Sequence, residues 1–289
     1  MSDPVYSVDG ELVPASAATV SVRDRGFMYG DAAFETLRSY GGTPFRWTDH
    51  AARLEETCET LGFAGALPPM ATLRERVAET LAANNIGDAY VRLSVTRGVQ
   101  PGKLSPDEDV DPTVVVLVKK LPRGGTAGER VWDEPARLRS VETERIPDAA
   151  VPSAAKTHNY LNGILARLEL RGTDADEALL RAGDGSLTEG ATSNLFFLQG
   201  ETLRTPAASL PLLPGVTRRV VLECAEELDI PVETGRYEAD TLADATELFV
   251  TNSTWEVRPV TAVDGRLFPV GPVTRRLQAA FDERVEALY

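Results

Sequence analysis

The chain has 289 residues, 43% hydrophobic and 26% charged, enough to bury the core of one large or two modest domains. A formal net charge of -14 and a sequence pI of about 4.7 exclude nucleic acid and anionic membranes as partners held by bulk electrostatics. Two histidines and two cysteines argue against a histidine-based zinc site and a disulfide framework; Cys58 and Cys224, on helical patterns, read as small core residues.

In chain order, residues 5–22 read as short strands around a turn at Asp9-Gly10, ending in the alternating ATVSV. In RDRGFMYGDAAFETLRSY, Gly26 and Gly30 flank Phe27 and Tyr29, and Phe34, Thr36, Arg38 and Tyr40 then share one side of a strand. That side, with Tyr29, could line a pocket; a half-buried strand with a solvated arginine is the alternative. Thr48 is placed as N-cap of a helix with Asp49 at its positive end and Leu54, Cys58 and Leu61 on its buried face. Arg53, at the edge of that face, can reach an anion or join a surface salt bridge. A second helix from Met70 to Asn84 buries Leu73, Val77 and Leu81. AYVRLSVTRG sets Tyr90, Arg92, Ser94 and Thr96 against Val91, Leu93 and Val95, a polar strand face that predicts a wet cavity, and Arg97 closes the strand. TVVVLVKK reads as a buried strand. The Gly- and Pro-rich LPRGGTAGER gives a small domain over 1–120, a linker over 121–128 and a large domain over 129–289.

The second half opens with irregular strands up to Ile146. After SAAKTHNYLNG, a helix from Tyr160 to Arg171 carries Ile164, Leu165 and Leu168 as its apolar face. EALLRAGDGSLTEG reads as a hairpin turning at Asp184-Gly185, and NLFFLQGETLRTP as a strand pair around Gly200. Val220, Val221, Cys224 and Leu228 keep a helical period, with Gly215 and Thr217 at its start. Free N–H groups and the helix dipole make such a start an anion site, unless Thr217 merely caps the helix. ELFVTNSTWEVRPV is a strand pair interrupted by NST beside Trp255, and Pro272 opens a last helix. There is no internal repeat, Gly-rich nucleotide fingerprint, HExxH or apolar run of membrane-spanning length. The opening MSDPVYSVDG lacks the regions of a signal peptide, so cytoplasm is the expected compartment. An acidic, lysine-poor surface fits a halophile's protein, or ordinary acidity under a GC-rich codon bias.

Lysine is scarce: the 30 basic residues include only Lys103, Lys119, Lys120 and Lys156. Lys103 lies in an acidic turn, and Lys119 and Lys120 end a strand facing water. Lys156 stands in a polar-aromatic run. Arginine cannot replace lysine as a covalent anchor, because a Schiff base needs a deprotonatable primary amine; a solvated loop lysine is the alternative. About thirty residues on, Glu189 centres GSLTEGATSNLFFL. A phosphorylated pyridine aldehyde needs a lysine, an acid at its ring nitrogen, a hydroxyl near its ring oxygen and a phosphate cradle. Lys156, Glu189, Tyr160, and Arg53 with Thr217 and the NST run are candidates for these tasks.

At this point the chain resembles the class IV, fold-type IV pyridoxal-phosphate aminotransferases, a family that includes branched-chain and D-amino-acid aminotransferases and aminodeoxychorismate lyase. Six motifs carry the resemblance in the family's order: RGFMYGDAAFETLR, the HAARL run, KTHNYLNG, LTEGATSNLFF, LPGVTRR and FVTNSTWEVRPV. It implies an α+β two-domain fold, a smaller N-terminal α/β sandwich and a larger C-terminal pseudo-barrel, with pyridoxal 5′-phosphate between them and a homodimer partner contributing to the pocket. By the resemblance, Lys156 anchors the cofactor and shuttles the substrate proton, Glu189 binds the pyridine nitrogen, and Tyr160 bonds the phenolic oxygen. Arg53, the N–H groups of Val216 and Thr217, and Ser253 hold the phosphate. Thr254 and Trp255 match positions beside the substrate carboxylate. Tyr29, Thr36, Arg38, Tyr90, Arg92 and Arg97 are pocket candidates.

The expected reaction is transamination between an amino acid, branched-chain L- or D-type, and a 2-oxo acid. NYLN after the lysine, the threonine of GVTR, and Glu256 in STWEVRPV favour it. A lysine-to-tyrosine spacing one residue shorter than in typical branched-chain enzymes, with RLSVTRG and YGDAAFETLR, points to the alternative, a lyase releasing pyruvate and 4-aminobenzoate. A non-catalytic protein on the same fold is a second alternative, against which the intact lysine and glutamate argue.

Overall fold

The structure is a computed structural model and describes residues 3–123 and 130–289. The chain divides into two compact units. The first comprises Met1–Glu129, Ala155–Asn159 and Leu288–Tyr289, and the second Arg130–Ala154 and Tyr160–Ala287. Most of the linker placed at 121–128 lies outside the described residues.

In the first unit, β1 (Val5–Val8) and β2 (Glu11–Pro14) form a hairpin closed by Asp9 and Gly10, both at positive φ as the tight turn demands. Helix α1 (Arg25–Tyr29) leads into β3 (Ala32–Tyr40) and the short β4 (Thr43–Pro44). Then come α2 (Trp47–Thr60), α3 (Met70–Ala83), β5 (Ala89–Thr96) and β6 (Val114–Lys120). The strands make one antiparallel sheet in the order β2-β1-β6-β5-β3-β4. Val91, Leu93 and Val95 meet Leu37, Leu54, Cys58, Leu73, Val77 and Leu81 in a single core. Register pairs Phe34 with Ser94, Thr36 with Arg92 and Arg38 with Tyr90, so the polar residues of both strands share the opposite side, as the alternation predicts.

Two expectations fail here. ATVSV forms no strand: among the described residues no strand pairs with it, and Val20 and Val22 are exposed. Thr48 is not the N-cap. Helix α2 begins at Trp47, and Arg46, in the left-handed region at φ 54°, occupies the cap position without a side-chain capping bond, its guanidinium lying 3.5 Å from Asp49. The reversal out of β4 sets that start, not the local capping preference.

In the second unit, β7 (Ala136–Ser140) and α4 (Leu161–Leu168) precede β8 (Glu177–Arg181), β9 (Leu187–Gly190), β10 (Asn194–Gln199) and β11 (Thr202–Pro206). Next come α5 (Val216–Glu227), β12 (Val232–Gly235), β13 (Glu247–Asn252), β14 (Glu256–Val263), β15 (Arg266–Leu267) and α6 (Pro272–Glu286). Among the described residues, nine strands form a mixed sheet in the order β12-β11-β10-β13-β14-β7-β8-β9, with β15 on β14. Leu187 N–H donates to the Tyr237 carbonyl at 2.7 Å, and Ser186 bridges Glu238, so the β9 end curls back to the chain beyond β12. Leu138, Leu179, Leu195, Phe197, Leu248 and Val260 share the core on one side of this curl. The buried Phe196 and Phe249 stack 4.9 Å apart.

The predicted apolar face of α4 exists but is not buried within the chain. Leu161, Ile164, Leu165 and Leu168 are 59, 54, 46 and 40% exposed, and Ala166 is the helix's buried residue. Periodicity identifies a stripe, but not what covers it.

Candidate active site

In the first unit, the Lys156 segment lies along β3. β4 pairs only with Ser39 and Tyr40, leaving the earlier part of that edge open. Thr157 bridges Ala33, Phe34 N–H donates to the Lys156 carbonyl at 3.0 Å, and His158 N–H donates to the Ala32 carbonyl at 2.9 Å. On the other side, the Lys156 N–H donates to Thr57 Oγ1 at 3.1 Å, and the Thr57 hydroxyl donates to the Arg53 carbonyl at 2.8 Å. The lysine's peptide is thus held by a strand and a helix. Thr57→Val keeps the side-chain shape and removes both bonds. It is expected to lower stability in urea unfolding by about 1–3 kcal/mol; an unchanged midpoint would show that these bonds contribute nothing net.

The half-buried Lys156 amine sits 4.5 Å from the Phe34 ring centroid, and Arg92 Cζ lies 3.8 Å from the same ring. His158 meets Phe34 edge-on at 5.5 Å, with Nε2 3.1 Å from Ser94 Oγ. The face predicted to be wet therefore carries two cations around one aromatic ring, a setting that favours anions. Burial, then the Arg92 charge, push His158 down to about 4.

Thr36 is half-buried, as is Tyr90. Tyr29 is exposed at the end of α1, its hydroxyl 3.3 Å from the Gly102 carbonyl. Arg38 is buried, donating to the Leu121 carbonyl and lying over Tyr40. Arg97 is tied into structure: it donates to both Asp31 oxygens and to the Leu61 carbonyl, and Arg25 shares Asp31. Arg53 gives two donors to one carboxylate: Nε to Glu35 Oε1 at 2.8 Å and Nη2 to Oε2 at 2.7 Å. His50 Nδ1 lies 2.7 Å from Glu35 Oε2. Burial would raise Glu35, but the Arg53 charge and the Arg53 and His50 bonds outweigh it and hold the carboxyl at about 2. An ionised Glu35 only accepts, so Nδ1 carries the imidazole proton, and burial lowers His50 against Glu35's pull.

These shifts act in one direction. At acid pH the unfolded chain binds more protons than the folded one. Stability from the depressed histidines is full above about 6.5 and is lost as pH falls below it, toward about 4 for His158. Glu35 adds a loss from about 4.5 down to about 2. The urea midpoint is expected to fall from pH 7 to pH 4 and further below; a midpoint constant over that range would contradict the assignment.

In the second unit, Glu189 is buried on β9. Its Oε1 accepts from Arg145 Nε at 2.7 Å, and its Oε2 from Leu213 N–H at 3.0 Å and Asn194 Nδ2 at 3.4 Å. Tyr160 precedes α4 and offers its carbonyl to Ile164 N–H. Helix α5 starts at Val216 with Thr217 next, both buried. Gly215 caps it, no side chain bonds the cap, and no acid stands in its first turn. A Cβ on Gly215 would lie 2.1 Å from Asn194 Oδ1, so a larger residue there would have to displace the Asn194 side chain. Helix α6 is different: Glu247 accepts from Val273 N–H at 3.1 Å and Thr274 N–H at 2.7 Å. Among the described residues, α6 carries a capping carboxylate and α5 has no acid in its first turn, the setting that suits a phosphate.

Between β13 and β14, Asn252 Oδ1 accepts from Thr254 N–H, Thr254 Oγ1 and Trp255 N–H, folding the NST run into a tight turn. Ser253 is half-buried in that turn. Glu256, at φ 59°, ends it with its carboxylate 3.4 Å from Arg130 Nη1. Trp255 accepts from Trp132 Nε1 through its carbonyl and lies under Arg258.

The model of the family "Amino-transferase class IV" matches residues 32–263.

The chain belongs to the class IV aminotransferases.

This class IV aminotransferase is 34% identical to the putative branched-chain-amino-acid aminotransferase of Methanocaldococcus jannaschii, over 96% of this chain and 94% of that protein. It is 30% identical to the aminodeoxychorismate lyase of Bacillus subtilis, over 96% and 94%. The crystal structure of the branched-chain aminotransferase from the thermophilic archaeon Thermoproteus uzoniensis with norvaline matches with a TM-score of 0.89 at 27% identity, covering 98% of this chain and 95% of that one. The expected fold class, enzyme class and pyridoxal-phosphate chemistry are those of the family. No described helix is long and apolar enough to cross a membrane.

The residues present fit that cofactor: a lysine with its peptide fixed on both sides, a buried oriented carboxylate and an acid-free helix start. Sequence reasoning missed Glu35, His50, Thr57, His158 and Arg145. Glu35 and His50 sit inside motifs already singled out, but only His50 lies close to Arg53 in sequence; the Glu35 contact spans 18 positions and is made by the fold. Nothing local marks Arg145 as the partner of Glu189.

Proposed function

We propose that this class IV aminotransferase transfers an amino group between an amino acid of branched-chain type, L or D, and a 2-oxo acid. The observation that carries the reading is Lys156, fixed through its peptide and presented on a cationic, aromatic sheet face. When bound, pyridoxal 5′-phosphate supplies an electron sink for the charge left at the substrate's Cα. Lys156 would hold the cofactor, and its Nζ would be the group that takes and returns the Cα proton. Glu189, kept oriented by Arg145, Asn194 and Leu213, would pair with the ring nitrogen, and the Tyr160 hydroxyl with the ring oxygen. Arg53, the N–H groups of Val216 and Thr217, and Ser253 would hold the phosphate. Thr254 and Trp255 stand beside the substrate carboxylate, with Tyr29, Thr36, Arg38, Tyr90, Arg92 and Arg97 shaping the pocket. The uncovered stripe of α4 supports a homodimer, and the cytoplasm is its proposed compartment.

Incubation with branched-chain amino acids and 2-oxoglutarate is expected to transfer nitrogen to the oxo acid. The second reading, a lyase, is favoured by the Bacillus subtilis relative. Release of pyruvate and 4-aminobenzoate from aminodeoxychorismate, with no amino transfer to any 2-oxo acid, would establish it instead. Thr217→Ala is expected to weaken cofactor binding by about 1.5–3 kcal/mol, the worth of a hydrogen bond to a charged group. Titration of the cofactor-free protein measures it, and an unchanged affinity would leave Thr217 as helix framework alone.

A further inference from the structure

Glu35 lies on β3 but on the side away from Lys156's ring neighbours, and it is 1% exposed. Its carboxylate spends both oxygens on Arg53, through Nε and Nη2, and also holds His50 Nδ1. All three side chains are buried. A guanidinium is planar, so two bonds along its Nε–Nη2 edge fix its plane and the direction of its Nη1 corner. An arginine without such a partner would lose side-chain freedom each time it bound an anion. Here that ordering is completed in folding, the general route by which preorganisation raises affinity.

We propose that Glu35 is a positioning residue that aims the Arg53 guanidinium at the cofactor's phosphate and thereby sets the preference for phosphorylated over unphosphorylated cofactor. The proposal rests on the reading of Arg53 as a phosphate ligand. It assigns Glu35 no contact with cofactor or substrate. If the buried pair served only to tie α2 to β3, its loss would weaken every ligand alike through the fold.

The test is the ratio of affinities of the cofactor-free protein for pyridoxal 5′-phosphate and for pyridoxal, read by absorbance. Both aldehydes react with the same lysine, so the ratio isolates the phosphate. Glu35→Gln presents an amide N–H to a guanidinium that can only donate. It is expected to lower the ratio about tenfold or more, the scale of one charge-assisted hydrogen bond, while pyridoxal affinity stays near its original value. Glu35→Asp retains charge but is one methylene too short to reach both nitrogens, and it is expected to shift the ratio in the same direction even if Glu35→Gln fails to fold. Arg53→Ala should lower the ratio at least as far, and adding Glu35→Gln to it should change the ratio no further. If Arg53→Ala lowers the ratio while both Glu35 variants leave it unchanged, or weaken both aldehydes equally, the positioning role is overturned and the phosphate reading survives. If Arg53→Ala leaves the ratio unchanged, the phosphate reading itself falls.

Discussion

Lys156→Ala is expected to abolish turnover, with a loss of about three orders of magnitude or more, while leaving the fold in place. A positioned proton carrier alone contributes about 10²–10⁴-fold, and here the covalent anchor goes with it. The fold should persist because the bonds that hold this segment are made by the backbone: the Lys156 carbonyl to Phe34 N–H and the Lys156 N–H to Thr57 Oγ1. Alanine keeps both. The substitution removes the contact of the amine with Phe34, worth about 0.5–1 kcal/mol at a partly solvated site. Steady-state rates and a urea midpoint, measured together, separate the two effects. Activity within tenfold of the original enzyme would remove Lys156 from the chemistry.

Glu189→Gln is expected to retain cofactor and to slow the first half-reaction by about a hundredfold or more, the scale on which a lost charge-stabilising partner acts. The anchor and the phosphate ligands are other residues, so loading should survive. The amide keeps the size of the carboxylate but removes the charge opposite the ring nitrogen and turns one donor toward Arg145 or Leu213 N–H, which themselves donate. Rapid mixing of loaded enzyme with an amino acid, followed by cofactor absorbance, gives the single-turnover rate. An unaltered rate would confine Glu189 to the ion pair with Arg145.

Where residue type and period alone decide turn or burial, the chain states its own structure. The Asp9-Gly10 hairpin, the two-faced β5 and the buried Cys58 and Cys224 follow from turn chemistry and period. Elements that depend on distant partners do not. ATVSV has a strand's alternation but, among the described residues, no strand pairs with it. Helix α4 has an amphipathic period, yet its stripe faces out, because period says nothing of what lies opposite. Arg97 and Arg53 read equally well as ligands or as framework. The structure ties the first to Asp31, 66 positions away, and gives the second a carboxylate partner 18 positions away, at Glu35.

By itself the sequence determined the family and its candidates: one lysine set apart in a lysine-poor chain, an acid and a glycine-led helix start, in an order that marks the class IV aminotransferases. Only the tertiary structure decided orientation: which edge Lys156 lies along, which guanidinium is held by Glu35, and which helix start lacks a carboxylate. The reason is physical. Residue type and spacing fix what a group can do, but hydrogen bonds and burial between segments far apart in the chain fix where it points.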